Sequence, residues 1–146
     1  MKFSSKIYLS YSDVVSMCNH LEDLASEIKP DMIVGIVRGG VVPALHLSHG
    51  LEVPMETVTW QTRDSNRQEI NENVIKAIED NRKVLFVDDI NDTGKTFKDI
   101  TKAYKTSLKP TVHFMSLVEK TESDFFGQAA LTLDDKRWIV FPWEKD

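Results

Sequence analysis

Residues 84–96 read VLFVDDINDTGKT: an apolar run that ends in two adjacent carboxylates and then opens into Asp92-Thr93-Gly94-Lys95-Thr96. Asp88 and Asp89 repel each other and give up packing, so a helix cap plus a solvated charge accounts for them poorly. It also leaves the five following residues without a reason. Those five are small, hydroxylic or glycine at the opening of a helix, where the first backbone N–H groups have no intrahelical partner and the dipole favours an anion. A phosphate at that turn, with two hydroxyls just outside it held by Asp88 and Asp89, is the outline of a ribose 5-phosphate whose reacting carbon lies beyond. The triplet Gly94-Lys95-Thr96 invites comparison with a nucleotide-binding P-loop, but that motif needs a glycine five positions before its Gly-Lys pair. Here the position is Asp89, and a carboxylate there opposes the wrapping of polyphosphate. An ATPase is excluded.

A second anion site is suggested by residues 33–43, IVGIVRGGVVP. Glycines after a strand let the backbone approach a diphosphate closely, and Arg38 supplies charged, forked donors. Alone, this stretch reads equally well as an ordinary strand–turn–helix corner with a solvated arginine. Beside the first motif it reads as the place for a second phosphate group.

The elements that must carry these turns follow from periodicity. Ser12-Asp13 marks a helix start, with Val14, Met17, Cys18, Leu21, Leu24 and Ile28 at helical spacing until Pro30. Met32 to Val37 is nearly continuous apolar sequence, as a strand buried on both faces is. Val41 to Ser48 makes a second helix ending near Gly50, and Val53 to Trp60 a strand. Gln61 to Asn73 is polar throughout and reads as a long mobile loop of the kind that carries function. A brief helix over Asn73 to Asn81 precedes a strand over Lys83 to Asp88. A helix from Lys95 to Leu108 follows, with Phe97, Ile100 and Tyr104 inward, then strands over Thr111 to Val118 and Arg137 to Phe141. Strands alternating with helices predict an α/β fold with a mostly parallel sheet covered on both faces. Ligands then bind at the carboxyl ends of the strands, where both motifs fall.

The whole chain bounds the possibilities. Its 146 residues, 41% apolar, suit a single domain over residues 1–146 with one packed core. A net charge of −5 disfavours a nucleic-acid binder held by phosphate contacts. A single cysteine, Cys18, forbids an intramolecular disulfide and suits a reducing cytosol. It falls on the apolar side of its helix and reads as buried filler. No apolar run is long enough to span a bilayer, and the N-terminus lacks a signal-peptide pattern. His20, His46, His49 and His113 show no spacing suited to zinc.

The stretch VLFVDDINDTGKT resembles the signature of the type I phosphoribosyltransferases, enzymes that use phosphoribosyl pyrophosphate (PRPP): a hydrophobic strand, two acidic residues, two spacers, then Asp-Thr-Gly-x-Thr. Lys95 stands where many members carry a small residue, but its N–H still serves a phosphate. IVGIVRGGVVP resembles the family's pyrophosphate loop, which implies Arg38 and Gly39 as pyrophosphate ligands and a cis peptide at Val37–Arg38. The likeness narrows toward the small bacterial xanthine–guanine and hypoxanthine enzymes. Thr59 to Glu69 is similar to their mobile loop. Val112 to Lys120 is similar to the strand that delivers a lysine, here Lys120, to the purine's exocyclic oxygen. Arg137 to Glu144 is similar to the C-terminal hood segment, with Trp138 stacking on the base and the Ile139 carbonyl receiving a purine N–H.

The resemblance implies transfer of a 5-phosphoribosyl group from PRPP to guanine, xanthine or hypoxanthine with release of pyrophosphate, a step of nucleotide salvage. It implies Mg²⁺ with Asp89 as the nearest protein carboxylate, Asp88 and Asp89 on the ribose hydroxyls, and Asp92 to Thr96 on the 5-phosphate. It also implies general acid–base or base-orienting duty for Asp92. It further implies a cytoplasmic homodimer or homotetramer, with PRPP and a purine base as partners and no nucleic acid. Two rivals stand beside it. One is a non-catalytic nucleotide-sensing regulator on the same fold; the other is a transferase for orotate, uracil or adenine. Adenine is the poorest purine fit, because it offers an amino donor where Lys120 wants an oxygen.

Overall fold

The computed structural model describes residues 5–60 and 68–145. Within them, buried strands alternate with helices. The strands are β1 (Lys6–Tyr8), β2 (Met32–Val37), β3 (Met55–Trp60), β4 (Gln68–Glu69), β5 (Val84–Asn91), β6 (Val112–Lys120), β7 (Gln128–Leu133) and β8 (Trp138–Val140). The helices are α1 (Tyr11–Ile28), α2 (Val41–Leu51), α3 (Glu72–Glu79) and α4 (Lys95–Ala103). Six strands form the main sheet in the order β4-β3-β2-β5-β6-β7. Every neighbouring pair is parallel except β3–β4. The fold expected from the sequence is the one observed.

Strand alternation divides the core in two. Ile33, Leu85, Val87, Met115 and Leu117 face α1 and α2, where they meet Val14, Cys18, Leu21, Ala44 and Leu47. Val34, Ile36, Val84 and Phe86 face the other way, toward Val74 and Ile78 of α3 and Phe97 and Ile100 of α4. Side chains of β2 and β5 are therefore apolar on both faces, which is why their sequences show no alternation. Both strands end in the turns that the sequence marked for chemistry.

Several boundaries differ from the periodicity. Helix α1 begins two residues earlier than Ser12-Asp13 suggests, because Ser10 is its cap. The Asp13 N–H donates to Ser10 Oγ (3.0 Å) and the Ser10 N–H donates back to Asp13 Oδ2 (2.8 Å), a reciprocal capping box. Helix α4 stops at Ala103 rather than Leu108, since Lys105 adopts a left-handed φ of 55° and the chain turns away. Part of the polar stretch after Gln61 is ordered. Thr59 and Trp60 of β3 pair antiparallel with Glu69 and Gln68, and Asn71 caps α3 by accepting from the Asn73 and Val74 N–H groups. The rest of the loop expectation falls on residues 61–67, outside the described residues.

Two strands carry no usable signal in the sequence. Strand β7 is an edge strand with a mixed pattern, and β1 is three residues long. Strand β1 pairs in parallel with β8, matching Lys6 to Trp138, Ile7 to Ile139 and Tyr8 to Val140. This second, two-stranded sheet sets the position of the C-terminal segment above the main sheet's carboxyl edge. No helix among the described residues is long and apolar enough to cross a membrane.

Candidate active site

A cavity of about 1050 Å³ opens at the carboxyl ends of β2, β5 and β6. Its walls include Arg38 and Gly39, Asp88, Asp89 and Asp92, the turn Thr93 to Thr96, Lys120, Trp138 and Ile139. The phosphate-, pyrophosphate- and base-binding candidates named from the sequence therefore meet in one space, although the segments that supply them are far apart in the chain.

At the end of β2 the Val37–Arg38 peptide is cis, as the resemblance implied. A Cβ on Gly39 would meet the Asp89 carboxyl group, whereas one on Gly40 would lie 2.2 Å from the Val87 carbonyl oxygen, so the absence of a side chain at Gly40 lets the β2 turn and β5 close on each other. Arg38 extends from this turn into exposed space at the cavity wall.

Asp88 and Asp89 stand side by side at the cavity floor, partly buried. The Asp89 N–H donates to Asp88 Oδ1 and the Ile90 N–H to Asp89 Oδ1, both at 2.8 Å. Burial, followed by the charge of Asp89, pushes the Asp88 carboxyl well above the usual carboxylate range. Asp89 is also raised, chiefly by burial, with a contribution from the nearby Glu144 carboxylate. Among the described residues no cation forms an ion pair with either. Two adjacent carboxyl groups with no protein cation beside them offer hard oxygen donors suited to a divalent cation shared with phosphate oxygens. The residues present therefore fit Mg²⁺.

Downstream, Gly94 holds a φ of 90° and forms the N-terminal boundary of α4 without any side-chain cap. The Lys95 N–H reaches Thr93 Oγ1 at a long 3.3 Å. The Lys95 ammonium turns away along the helix to Asp99 Oδ2 (2.9 Å), so the residue that departs from the family pattern contributes backbone rather than charge. Uncapped N–H groups at this helix start give the cavity an anion-binding corner.

At the opposite end, Lys120 is 4% exposed. Its Nζ donates to the carbonyls of Asp135 (2.5 Å) and Arg137 (2.8 Å). The intervening turn is held by Arg137, whose Nε and Nη2 both donate to Asp135 Oδ2. That pairing draws the Asp135 carboxyl down to about 2. Trp138 is half exposed, whereas Ile139 is buried beside it. A further aromatic pair, Phe141 stacked on Trp143 with ring centroids 5.0 Å apart, lines the same end.

Sequence reasoning missed three contributors: the carbonyls that hold Lys120, Glu144 beside Asp89, and Trp60. Glu144 is fixed by a local feature, since the Phe141 N–H donates to its Oε1 at 2.9 Å, but its nearness to Asp89 arises only in the folded chain. Trp60 is almost fully buried in the cavity wall, with its indole N–H unpartnered. Its position at the last residue of β3 is the only sequence signal it has.

The model of the family described as phosphoribosyl transferase domain matches residues 17–145. A xanthine-guanine phosphoribosyltransferase of Cereibacter sphaeroides is 31% identical over 119 residues, covering 77% of this chain and 68% of that protein. The protein of the same name from Chromohalobacter salexigens is 28% identical over 138 residues, covering 92% of this chain and 78% of its own length. Among solved structures, a purine phosphoribosyltransferase from Pyrococcus horikoshii superposes with a TM-score of 0.78 at 28% identity, covering 97% of this chain and 95% of the other.

Proposed function

We propose that this chain, which belongs to the phosphoribosyl transferase family, is a purine-salvage enzyme that transfers the 5-phosphoribosyl group of PRPP to guanine, xanthine or hypoxanthine. The reading rests on one observation: a single cavity joins an uncapped helix start behind paired carboxylates, the Arg38-Gly39 turn, and a wall that carries a buried lysine and aromatic rings. Those three features match, in order, the phosphorylated ribose, the diphosphate and the flat base of the two substrates.

In the reaction a purine nitrogen attacks C1 of the ribose, and the bond from C1 to the diphosphate oxygen breaks with its electron pair. Positive charge develops on the ring as that bond lengthens, so the protein's work is orientation and charge compensation. Backbone N–H groups of Thr93 to Thr96 hold the 5-phosphate, and Asp88 and Asp89 accept from the ribose hydroxyls. Arg38 and the Gly39 N–H receive the departing pyrophosphate. Asp92, at the mouth of the phosphate turn, accepts or relays the proton that the purine ring gives up. Asp89 would help to hold Mg²⁺, which when bound would supply neutralisation of the diphosphate charge.

Lysine carries three N–H donors, and the carbonyls of Asp135 and Arg137 take two from Lys120. The remaining donor suits the 6-oxo group of the base, which favours 6-oxopurines over adenine. Trp138 offers an aromatic face and the Ile139 carbonyl an acceptor for a ring N–H. We further propose that the enzyme acts in the cytoplasm as a homodimer or homotetramer, which light scattering on the purified protein tests.

The deciding experiment is a coupled absorbance assay with PRPP, Mg²⁺ and one base at a time: guanine, xanthine, hypoxanthine, adenine, orotate and uracil. Turnover is expected with one or more 6-oxopurines and is lost without Mg²⁺. Tight binding of PRPP with no turnover on any base would replace this reading with the non-catalytic regulator.

A further inference from the structure

Behind the phosphate turn lies a buried polar network that the reaction described above does not use, although Asn91 at its centre borders the cavity. Asn91, the last residue of β5, is 4% exposed, and Glu119 of β6 is 5% exposed. Strand register makes them direct neighbours. Asn91 Nδ2 donates to Glu119 Oε1 (2.7 Å) and to the Phe125 carbonyl (2.6 Å). Its Oδ1 lies 3.3 Å from Ser123 Oγ, itself 4% exposed. Glu119 Oε1 also accepts from the Gly127 N–H at 2.8 Å. Both N–H donors of the Asn91 amide are thus taken by protein partners.

Apart from Glu119 on β6, these partners (Ser123, Phe125 and Gly127) belong to one segment, the connection between β6 and β7, and that segment touches the phosphate turn directly. The Asp124 N–H donates to the Thr93 carbonyl (3.2 Å), and the Lys98 ammonium of α4 pairs with Asp124 (2.7 Å). A Cβ on Gly94 would lie within 3.0 Å of Ser123 Oγ, Asp124 Oδ1 and the Phe125 nitrogen. The turn that presents its N–H groups to an anion therefore rests, without a gap, on residues 123–125.

We propose that Asn91 and Glu119 are positioning residues for the 5-phosphate subsite, setting the phosphate turn through the 123–127 connection and not by contact with PRPP. The proposal rests on the transferase reading. It differs from a general role in stability because the network reaches the phosphate turn, whereas Arg38 and Trp138 lie on other segments and the Lys120 ammonium is held by the carbonyls of Asp135 and Arg137. Removing the amide of Asn91 leaves the buried Glu119 carboxylate and the Phe125 carbonyl each short of a donor, and the connection must shift to satisfy them.

The test compares wild type with Asn91→Val, Glu119→Leu and Glu119→Gln, each held well below its own unfolding temperature. Calorimetry measures binding of PRPP with Mg²⁺, of ribose 5-phosphate and of pyrophosphate, and steady-state kinetics give KM for PRPP and for the base. Asn91→Val and Glu119→Leu are expected to weaken PRPP and ribose 5-phosphate about tenfold, the effect of one or two lost buried hydrogen bonds. Pyrophosphate affinity and the KM for the base stay within about twofold, a margin set by the usual independence of separated sites. Glu119→Gln keeps the PRPP affinity, because both donors reach the single oxygen Oε1, which an amide retains. If either large change prevents folding, Ser123→Ala removes one link of the network and carries the same expectation at a smaller size, about threefold. Unchanged ribose 5-phosphate affinity, or parallel loss of ribose 5-phosphate, pyrophosphate and base, overturns the proposal. Wild-type protein that binds no PRPP at all overturns the transferase reading first, and the proposal with it.

Discussion

The ammonium of Lys120 donates to the carbonyl of Arg137 at 2.8 Å, which fastens the end of β6 to the turn that leads into β8. A lysine at the end of a strand is ordinarily solvated. Here it is buried and bonded to main chain, so it organises the end of the cavity proposed for the base before any ligand arrives.

Lys120→Met keeps the length of the side chain while removing its donors, leaving the Asp135 and Arg137 carbonyls without a partner. The KM for the purine is expected to rise at least tenfold, with PRPP affinity changed far less, since the loss of hydrogen bonds to a charged group is large and local. Melting should also drop by a few degrees, about 1–2 kcal/mol at this chain length. Equal effects on the two substrates in steady-state kinetics would contradict a base-side role.

Asp92 is half buried at the cavity wall between the carboxylate pair and the phosphate turn. Asp92→Asn preserves its shape and is expected to lower kcat by about 10²-fold, the scale of general acid–base assistance. PRPP affinity measured by calorimetry should stay close to wild type. Undiminished turnover would remove Asp92 from the mechanism.

Asp88 lies beside Asp89 with its carboxyl raised by burial and by its neighbour's charge. A carboxyl whose folded-state pKa is raised binds its proton more tightly when folded, so stability falls as pH rises above the ordinary carboxylate range. Asp88→Asn removes that loss. Without ligands it should melt a few degrees above wild type at neutral pH, about 1 kcal/mol, and the gap should close as the pH approaches 4. The same variant should be strongly impaired in transfer. A variant no more stable than wild type at pH 7 would show that the pair is adequately solvated.

Cys18 sits under α1 in the core, 1% exposed, with its thiol pushed up to about 11 by burial. The reactive species is the thiolate, so iodoacetamide at pH 8 should label native protein negligibly and denatured protein fully. Rapid labelling of the native form would show that α1 opens on the timescale of the reaction.

The phosphate end of the site was legible in the sequence because it is contiguous there. Asp88, Asp89 and Asp92 to Thr96 fall within nine residues of chain, and Arg38-Gly39 follows a strand whose apolar run announces its end. The main parallel sheet was legible for the same reason: β2, β5 and β6 are apolar on both faces. Other parts depend on partners that local pattern does not encode. Lys120 could be marked as a base ligand only by resemblance, and nothing near it hints at carbonyls from residues 135 and 137. Asn91 reads as a spacer, and only the register of β5 against β6 turns it toward Glu119. Strands β1 and β7 are too short or too mixed in pattern to stand out, and the loop after Trp60 conceals the start of α3 because Asn71 and Glu72 are as polar as their neighbours.

The pairing of β1 with β8 imposes an order on the birth of the site. On the ribosome the Arg38 turn emerges first and the phosphate turn next, and the latter gains its support only once residues 119–127 follow. Ile139 and Trp138 come last, and they reach their places by returning to Lys6–Tyr8, a strand made before almost everything else and left waiting throughout. A chain that stops short of β8 lacks Trp138 and Ile139 and leaves β1 without its partner strand, so the end of the cavity proposed for the purine is completed by the last strand to be made.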